Sequence, residues 1–327
     1  MKYFKHQHYR NNKVFFLLFV LVSCAWLISC TNLNEDRGDV PGKFKLLATT
    51  THLADLARQI GGDRIEVDAL MGPGVDPHSY RASAQDIARL HVADFVLFHG
   101  LSLEGKIARV LQETKRKGKV HFSPCEELPR NQLIFTNDTN HTVDPHIWFA
   151  PDIWISCAHA LAQKLSEVMP EEKSFFETNL SAFRDSVKSI DRWGKSLLLG
   201  IPKNQRILIT SHDAFQYFGN HFAIRVIGLQ GINTLAEAGL ADRTNLVDFI
   251  RQHNSPALFV ESSVNPKALV EIAKETGAYI GGTLFSDALG TDKQFTQGPD
   301  GKNHSTATWQ GMMVHNLNVI KKALSER

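Results

Sequence analysis

Residues 170–200 read PEEKSFFETNLSAFRDSVKSIDRWGKSLLLG, the longest helical pattern in the chain. Phe176, Leu180, Phe183, Val187, Ile190, Trp193 and Leu197 recur at spacings of 3 and 4, which lines them along one apolar helix face. Pro170 suits a first helical position, and Glu171 and Glu172 suit the positive end of the helix dipole. Gly200 and Pro202 supply the stop. About 29 residues of helix would span roughly 43 Å at about 1.5 Å per residue. Taken alone, the pattern also suits a surface helix of one large domain. Its flanks favour a different role.

On each side, short β-rich runs alternate with helical patterns, the mark of βαβ units and parallel sheets. The runs before it fall at 45–50, 64–70, 95–98 and 119–122, and those after it at 206–210, 225–229, 257–261 and 279–284. Helical patterns between them include 83–92, 103–117, 243–253 and 266–276. The expected fold class is α/β, with two lobes, each a four-stranded mainly parallel sheet with flanking helices, joined by one long backbone helix. As the only crossover, such a helix would be stiffer than a pair of loops, so hinge motion between the lobes should be small.

The first residues belong to another regime. Residues 1–29 hold Lys2, Lys5, Arg10 and Lys13 and no acid, so removing them takes Lys+Arg from 36 to 32 against 34 acids and the formal charge from +2 to −2. No nucleic-acid-binding surface is indicated. The apolar run Val14 to Ser29 is 16 residues long, short of the about 20 that span a membrane. Basic start, short apolar core and small residues at its end read as a secretory signal. Leu27-Ile28-Ser29-Cys30 resembles the lipobox of bacterial lipoproteins, in which the Cys becomes the lipidated first residue. Leu21-Val22-Ser23-Cys24 fits too, but only Cys30 is followed by a polar stretch. The organisation expected is a signal peptide at 1–29, a tether at 30–42, an N-terminal lobe at 43–169, the linking helix at 170–200 and a C-terminal lobe at 201–327. Such a protein is exported and lipid-anchored to a bacterial membrane, on its periplasmic or cell-surface side. The remaining cysteines, Cys125 and Cys157, lack metal-ligand spacing; a pairing and two inert buried thiols both stay open.

Among 15 histidines, two share nearly one pentapeptide. Asp76-Pro77-His78-Ser79-Tyr80 follows the second strand, and Asp144-Pro145-His146-Ile147-Trp148 follows the fourth. Pro restrains the backbone before each His. Each Asp could orient its imidazole by accepting the ring N–H that faces away from a metal, and the aromatic two residues on could keep water out. His212 and Asp287 come just after strands of the second half, at the ends where open parallel sheets place ligands. Each could instead cap a helix or turn. Together the four make three imidazoles and one carboxylate, two from each half, a set that suits Zn²⁺, Mn²⁺ or Fe²⁺.

These residues lie in segments that resemble the TroA-like metal receptors, the zinc/manganese solute-binding proteins of ABC importers. The segments are GPGVDPHSY, LFHGLSLE, VDPHIWFAP, TSHDAFQYF, IGLQGINTLAEAG, ALFVESSV, GGTLFSDALG and GMMVHNLNVI, in family order along essentially the whole mature chain. The resemblance implies two α/β lobes on one backbone helix, metal in the cleft between them, and His78, His146, His212 and Asp287 as ligands. It also implies a monomer that delivers its cargo to an ABC permease and ATPase, with no catalytic cofactor. Some relatives carry Glu at the third ligand; here it is His212. Zinc-specific relatives often insert a His-rich loop before the second motif, whereas residues 131–143 contain only His141. His52, His99, His304 and His315 match no ligand position, and Glu261 is read as a support of the cleft. Three rivals remain: a chelatase or cofactor-binding lobe pair of similar architecture, disfavoured because the ligand set is already complete, a surface adhesin with a structural metal, and a metallohydrolase. The last is disfavoured because HExxH and a nucleophile elbow are missing and four protein ligands would close the site. Metal affinity is expected to weaken as pH falls through the ordinary imidazole value of about 6.5.

Overall fold

The computed structural model describes residues 43–325 apart from 117–119, 137–140 and 254–256. The expected signal peptide, Cys24, Cys30 and the tether all lie outside the described residues.

The first lobe runs β1 (Phe44–Ala48), α1 (Thr51–Gly61), β2 (Ile65–Ala69), α2 (Ala84–Val92), β3 (Phe95–Leu97), α3 (Ala108–Arg116), β4 (Val120–Phe122) and α4 (Pro151–Val168). Its four strands are parallel in the order β2-β1-β3-β4. Leu46, Leu47 and Ala48 of β1 are all buried, as the continuous apolar run of a strand covered on both faces requires. The capping box of Ser83 and Asp86 starts α2. The helix expected at 103–117 begins only at Ala108. Gly100, Leu101 and Ser102 before it take φ values of 76°, 51° and 65°, and that left-handed stretch delays a right-handed helix.

The second lobe repeats the plan with β5 (Ile207–His212), α6 (Gln216–Phe222), β6 (Arg225–Gln230), α7 (Leu240–Gln252), β7 (Leu258–Glu261), α8 (Lys267–Thr276) and β8 (Ile280–Leu284). Its parallel order is β6-β5-β7-β8. An unforeseen antiparallel hairpin, β9 (Phe295–Gln297) with β10 (Asn303–Ser305), precedes the last helix, α9 (Trp309–Ser325). All eight expected strands form, with ends displaced by a residue or two. One displacement matters: β5 continues through His212, which pairs with Gln230 of β6. His212 is therefore the last residue of a strand rather than the start of a loop.

The linking element is a 3₁₀ turn, Pro170–Glu172, followed by the 27-residue helix α5 (Lys173–Leu199), roughly 40 Å long. Phe176, Phe183, Val187 and Ile190 bury its apolar face against α4 and α1 on one side and α9 on the other. Gly194 permits the approach to α9, since a Cβ there would lie 2.8 Å from Leu317 Cδ1.

The lobes also meet away from this helix. Asp55 Oδ2 on α1 accepts from the backbone N–H of Trp309 at 2.8 Å, and the side-chain amides of Gln59 and Gln310 bond to each other. One apolar core runs unbroken from Leu46 and Trp154 to Phe259 and Leu317. Lys43–Arg327 accordingly forms one compact unit.

Candidate metal centre

In each sheet the first strand is central and its neighbours are reached in opposite directions, so β1 and β5 mark topological switch points. The loops leaving the carboxyl ends of both sheets converge. His78 comes from the loop after β2, His146 from the segment before α4, His212 from the tip of β5 and Asp287 from the loop after β8. All four are buried. One ligand atom from each lies within 4.8 Å of every other, and among the described residues this is the one such group of His, Cys, Asp or Glu.

The spacings decide what the group can hold. His78 Nε2 and His146 Nε2 are 3.4 Å apart, His146 Nε2 and Asp287 Oδ1 3.2 Å, and His212 Nε2 and Asp287 Oδ2 3.1 Å. Donors about 2.0–2.1 Å from one tetrahedral ion would be about 3.3 Å from each other. These three edges match, and the remaining donor pairs lie within 4.8 Å. Asp287 Oδ1 and His212 Nε2 make no directed hydrogen bond among the described residues, although such buried polar atoms are rarely left so. The Nε2 atoms of His78 and His146 also face each other, so at most one of them carries the proton between them. A divalent cation satisfies all of them at once.

Both Asp-Pro-His turns use the same local device. Asp76 Oδ1 and Asp144 Oδ1 each accept the backbone N–H of the His two residues on, at 2.9 Å. They then diverge. Asp144 also accepts from His146 Nδ1 at 2.7 Å, which turns Nε2 into the cluster. Asp76 reaches across the cleft instead, where its Oδ2 accepts from Thr234 Oγ1 at 2.6 Å. Only Asp144 therefore orients its own imidazole as the sequence suggested.

The two aromatics diverge as well. Trp148 is buried edge-on to His146, with ring centroids 5.3 Å apart, and its Nε1 donates to Ser286 O at 3.1 Å. Tyr80 donates its hydroxyl to Asp86 on α2. The sequence signal for this asymmetry is slight, since both motifs end in an aromatic.

Charge in this buried space is uneven. Burial alone would lower His146, but Asp144 and Asp287 carry it up to about 9. Burial is likewise outweighed at His212, which the Asp287 and Glu261 charges raise well above the ordinary imidazole value. His78 goes the other way, down to about 4, because burial dominates there. Asp287 is held well below the carboxylate range by the neighbouring His212 and His146, against its burial.

A cleft of about 180 Å³, lined by His78, Leu101 and Pro145 of one lobe and Ile232 and Asn233 of the other, leads to the site. Of the histidines matching no ligand position, His52 stacks on Trp148 at 4.5 Å and His99 Nε2 donates to Pro145 O at 2.7 Å, both just behind the cluster. His304 lies in the hairpin against Asp300, and His315 on α9 donates to Thr283 O.

Residues 46–323 match the family model of ZnuA, the periplasmic component A of zinc-uptake complexes. The chain belongs to this family. The manganese-binding lipoprotein MntA of Bacillus subtilis is 39% identical over 95% of this chain and 97% of its own length. The zinc-binding protein TroA of Treponema pallidum is 34% identical over 87% of this chain and 90% of its own. The solved structure of Treponema TroA superposes with a TM-score of 0.80 at 32% identity, covering 86% of this chain and 99% of that one. The family fold, two lobes with four-stranded parallel sheets and a long helix between them, is the one expected from the sequence. Membership makes the chain a transport receptor rather than an enzyme, and the hydrolase and adhesin alternatives are not favoured.

Proposed function

We propose that this protein captures one Zn²⁺ or Mn²⁺ outside the cytoplasm through His78, His146, His212 and Asp287 and hands it to an ABC permease driven by its ATPase. The observation that carries this reading is the set of donor-to-donor edges of 3.1–3.4 Å drawn from both lobes. Its relatives include both a manganese-binding lipoprotein and a zinc-binding protein, in keeping with a donor set that suits either ion. In this reading residues 43–169 and 201–327 are the lobes, and 170–200 the helix between them. Residues 1–29 are removed on export, and Cys30 carries the lipid that tethers a monomer to the membrane. No helix among the described residues is long and apolar enough to cross one.

Zinc binds more tightly than manganese in vitro, since manganese stands lowest in the Irving–Williams order, while availability selects the cargo. Competition titration tests the first statement: manganese displacing zinc at equal concentration would refute it. Deleting the gene tests the second. Cellular zinc or manganese should fall and be restored by that metal alone, and unchanged content of both would end the transport assignment.

A further inference from the structure

Beyond residue 30 the chain has two cysteines, and the fold brings them together. Cys125 lies in the loop after β4 and Cys157 on α4. Both are fully buried, free, and 3.9 Å apart sulfur to sulfur. Their surroundings order them further. His99 Nε2 faces the carbonyl of Pro145, which only accepts, so it carries the proton and leaves Nδ1 to accept from the Cys125 thiol at 3.4 Å. Cys157 in turn donates to Cys125. This chain of contacts ends at Pro145, the residue before His146.

We propose that Cys125 and Cys157 are a disulfide-forming pair whose closure, as the chain folds, fixes the segment that carries His146. The sulfurs need to approach by about 1.9 Å, from 3.9 Å to the bonded distance of about 2.05 Å. The step is an exchange with a small disulfide. The two thiols give up two protons and two electrons as their S–S bond forms, while the S–S bond of the oxidant breaks to yield two thiols. Timing follows from burial. Burial beside Cys157 pushes the Cys125 thiol well above its ordinary value, so the attacking thiolate is available before the core closes and not after. The ring closed, with its ends 32 positions apart, contains Asp144, His146 and Trp148. Cross-linking restricts the open states of such a ring. The inference concerns the fold of this segment and stands whether or not the metal reading does.

The test uses the full chain with Cys24→Ser and Cys30→Ser, refolded from denaturant in a glutathione redox buffer, then alkylated and mapped by mass spectrometry. The expected product is one linked peptide pair containing Cys125 and Cys157. Alkylated thiols or glutathione adducts at both positions would overturn the pairing. Amide exchange on the chelated protein reads the second half. Exchange across 126–156 should be about tenfold slower in the oxidised than in the reduced form. Cys157→Ala should show no such difference between the two buffers. Equal exchange in the oxidised and reduced forms would overturn the fixing role.

Discussion

Glu261 and His212 meet twice at the carboxyl ends of adjacent strands. Glu261 Oε1 accepts the backbone N–H of His212 at 2.9 Å, and Oε2 lies 2.6 Å from its ring Nδ1. The carboxylate is buried, and in this position it holds the ring so that Nε2 points at Asp287. Asp144 does the same for His146. Each lobe thus backs one imidazole with an acid that is not itself in the cluster.

Glu261→Gln keeps the size of the side chain and removes its charge. Metal affinity should fall about 10–100-fold, the usual cost of losing such a partner, with the stoichiometry unchanged. Competition with a calibrated chelator measures this. A loss as large as that of His212→Ala would make Glu261 a ligand, and no loss would remove its orienting role.

Proton release gives a second check. At neutral pH the protein's own field favours the doubly protonated, charged form of His146 and His212, whereas His78, lowered to about 4, is the neutral imidazole. A metal must displace the extra proton from each of the first two, so binding near pH 7 should release about two protons. Affinity should still be rising with pH near 9, where His146 gives up its extra proton unaided. The dependence therefore extends well above the ordinary imidazole range that composition alone suggests. Calorimetry in buffers of different ionisation enthalpy counts the protons, and a count near zero would contradict the charge states argued here.

Asp55 sets a pH dependence of stability unrelated to metal. Burial raises its carboxyl from 3.8 to about 7, against the bonds from Trp309 N–H and Gln59. The folded state thus favours the protonated acid. That contribution is fully present below about 3.8 and is lost as pH rises through about 7. Asp55→Asn keeps an acceptor for Trp309 without the charge, so the chelated variant should gain on the wild type between pH 5 and 8, by about 1–3 kcal/mol. Asp55→Ala leaves the Trp309 N–H without its acceptor and should cost about 1–3 kcal/mol. Denaturant midpoints across pH decide both.

Gly228 on β6 has no room for a side chain: an added Cβ would lie 2.6 Å from Asp213 N and 2.7 Å from its Cα. These are backbone atoms next to His212. Gly228→Ala should destabilise the fold by about 1–3 kcal/mol and weaken metal binding as well. A variant with wild-type stability and affinity would show that β5 shifts freely at this point.

The sequence made the lobes and the linking helix legible because both rest on periodicity, which a one-dimensional string preserves. Four clustered side chains were legible for a related reason: strand ends of parallel sheets converge, and two of the four sit in a repeated, Pro-restrained turn. The differing roles of Asp76 and Asp144 were not legible, since they depend on what faces each carboxylate across the cleft, Thr234 in one case and an imidazole in the other. Nor was the contact of Cys125 with Cys157, whose spacing carries no signal until β4 and α4 are packed. The bonds between α1 and α9 also escaped, because Asp55 and Trp309 lie 254 positions apart.

Metal should also stabilise the fold, because its ligands come from both lobes. At about 1,000 times Kd the gain is about 4 kcal/mol if only the native state binds. A melting midpoint indifferent to metal and chelator would argue against a site between the lobes.

The most direct test is titration of the purified protein with zinc and with manganese, followed by elemental analysis, on the wild type and single alanine variants. The account predicts one equivalent of tightly held metal per chain, a large loss for His78→Ala, His146→Ala, His212→Ala and Asp287→Ala, and wild-type binding for His304→Ala. No tight site, two or more tight sites, or an equal loss at His304 would contradict it.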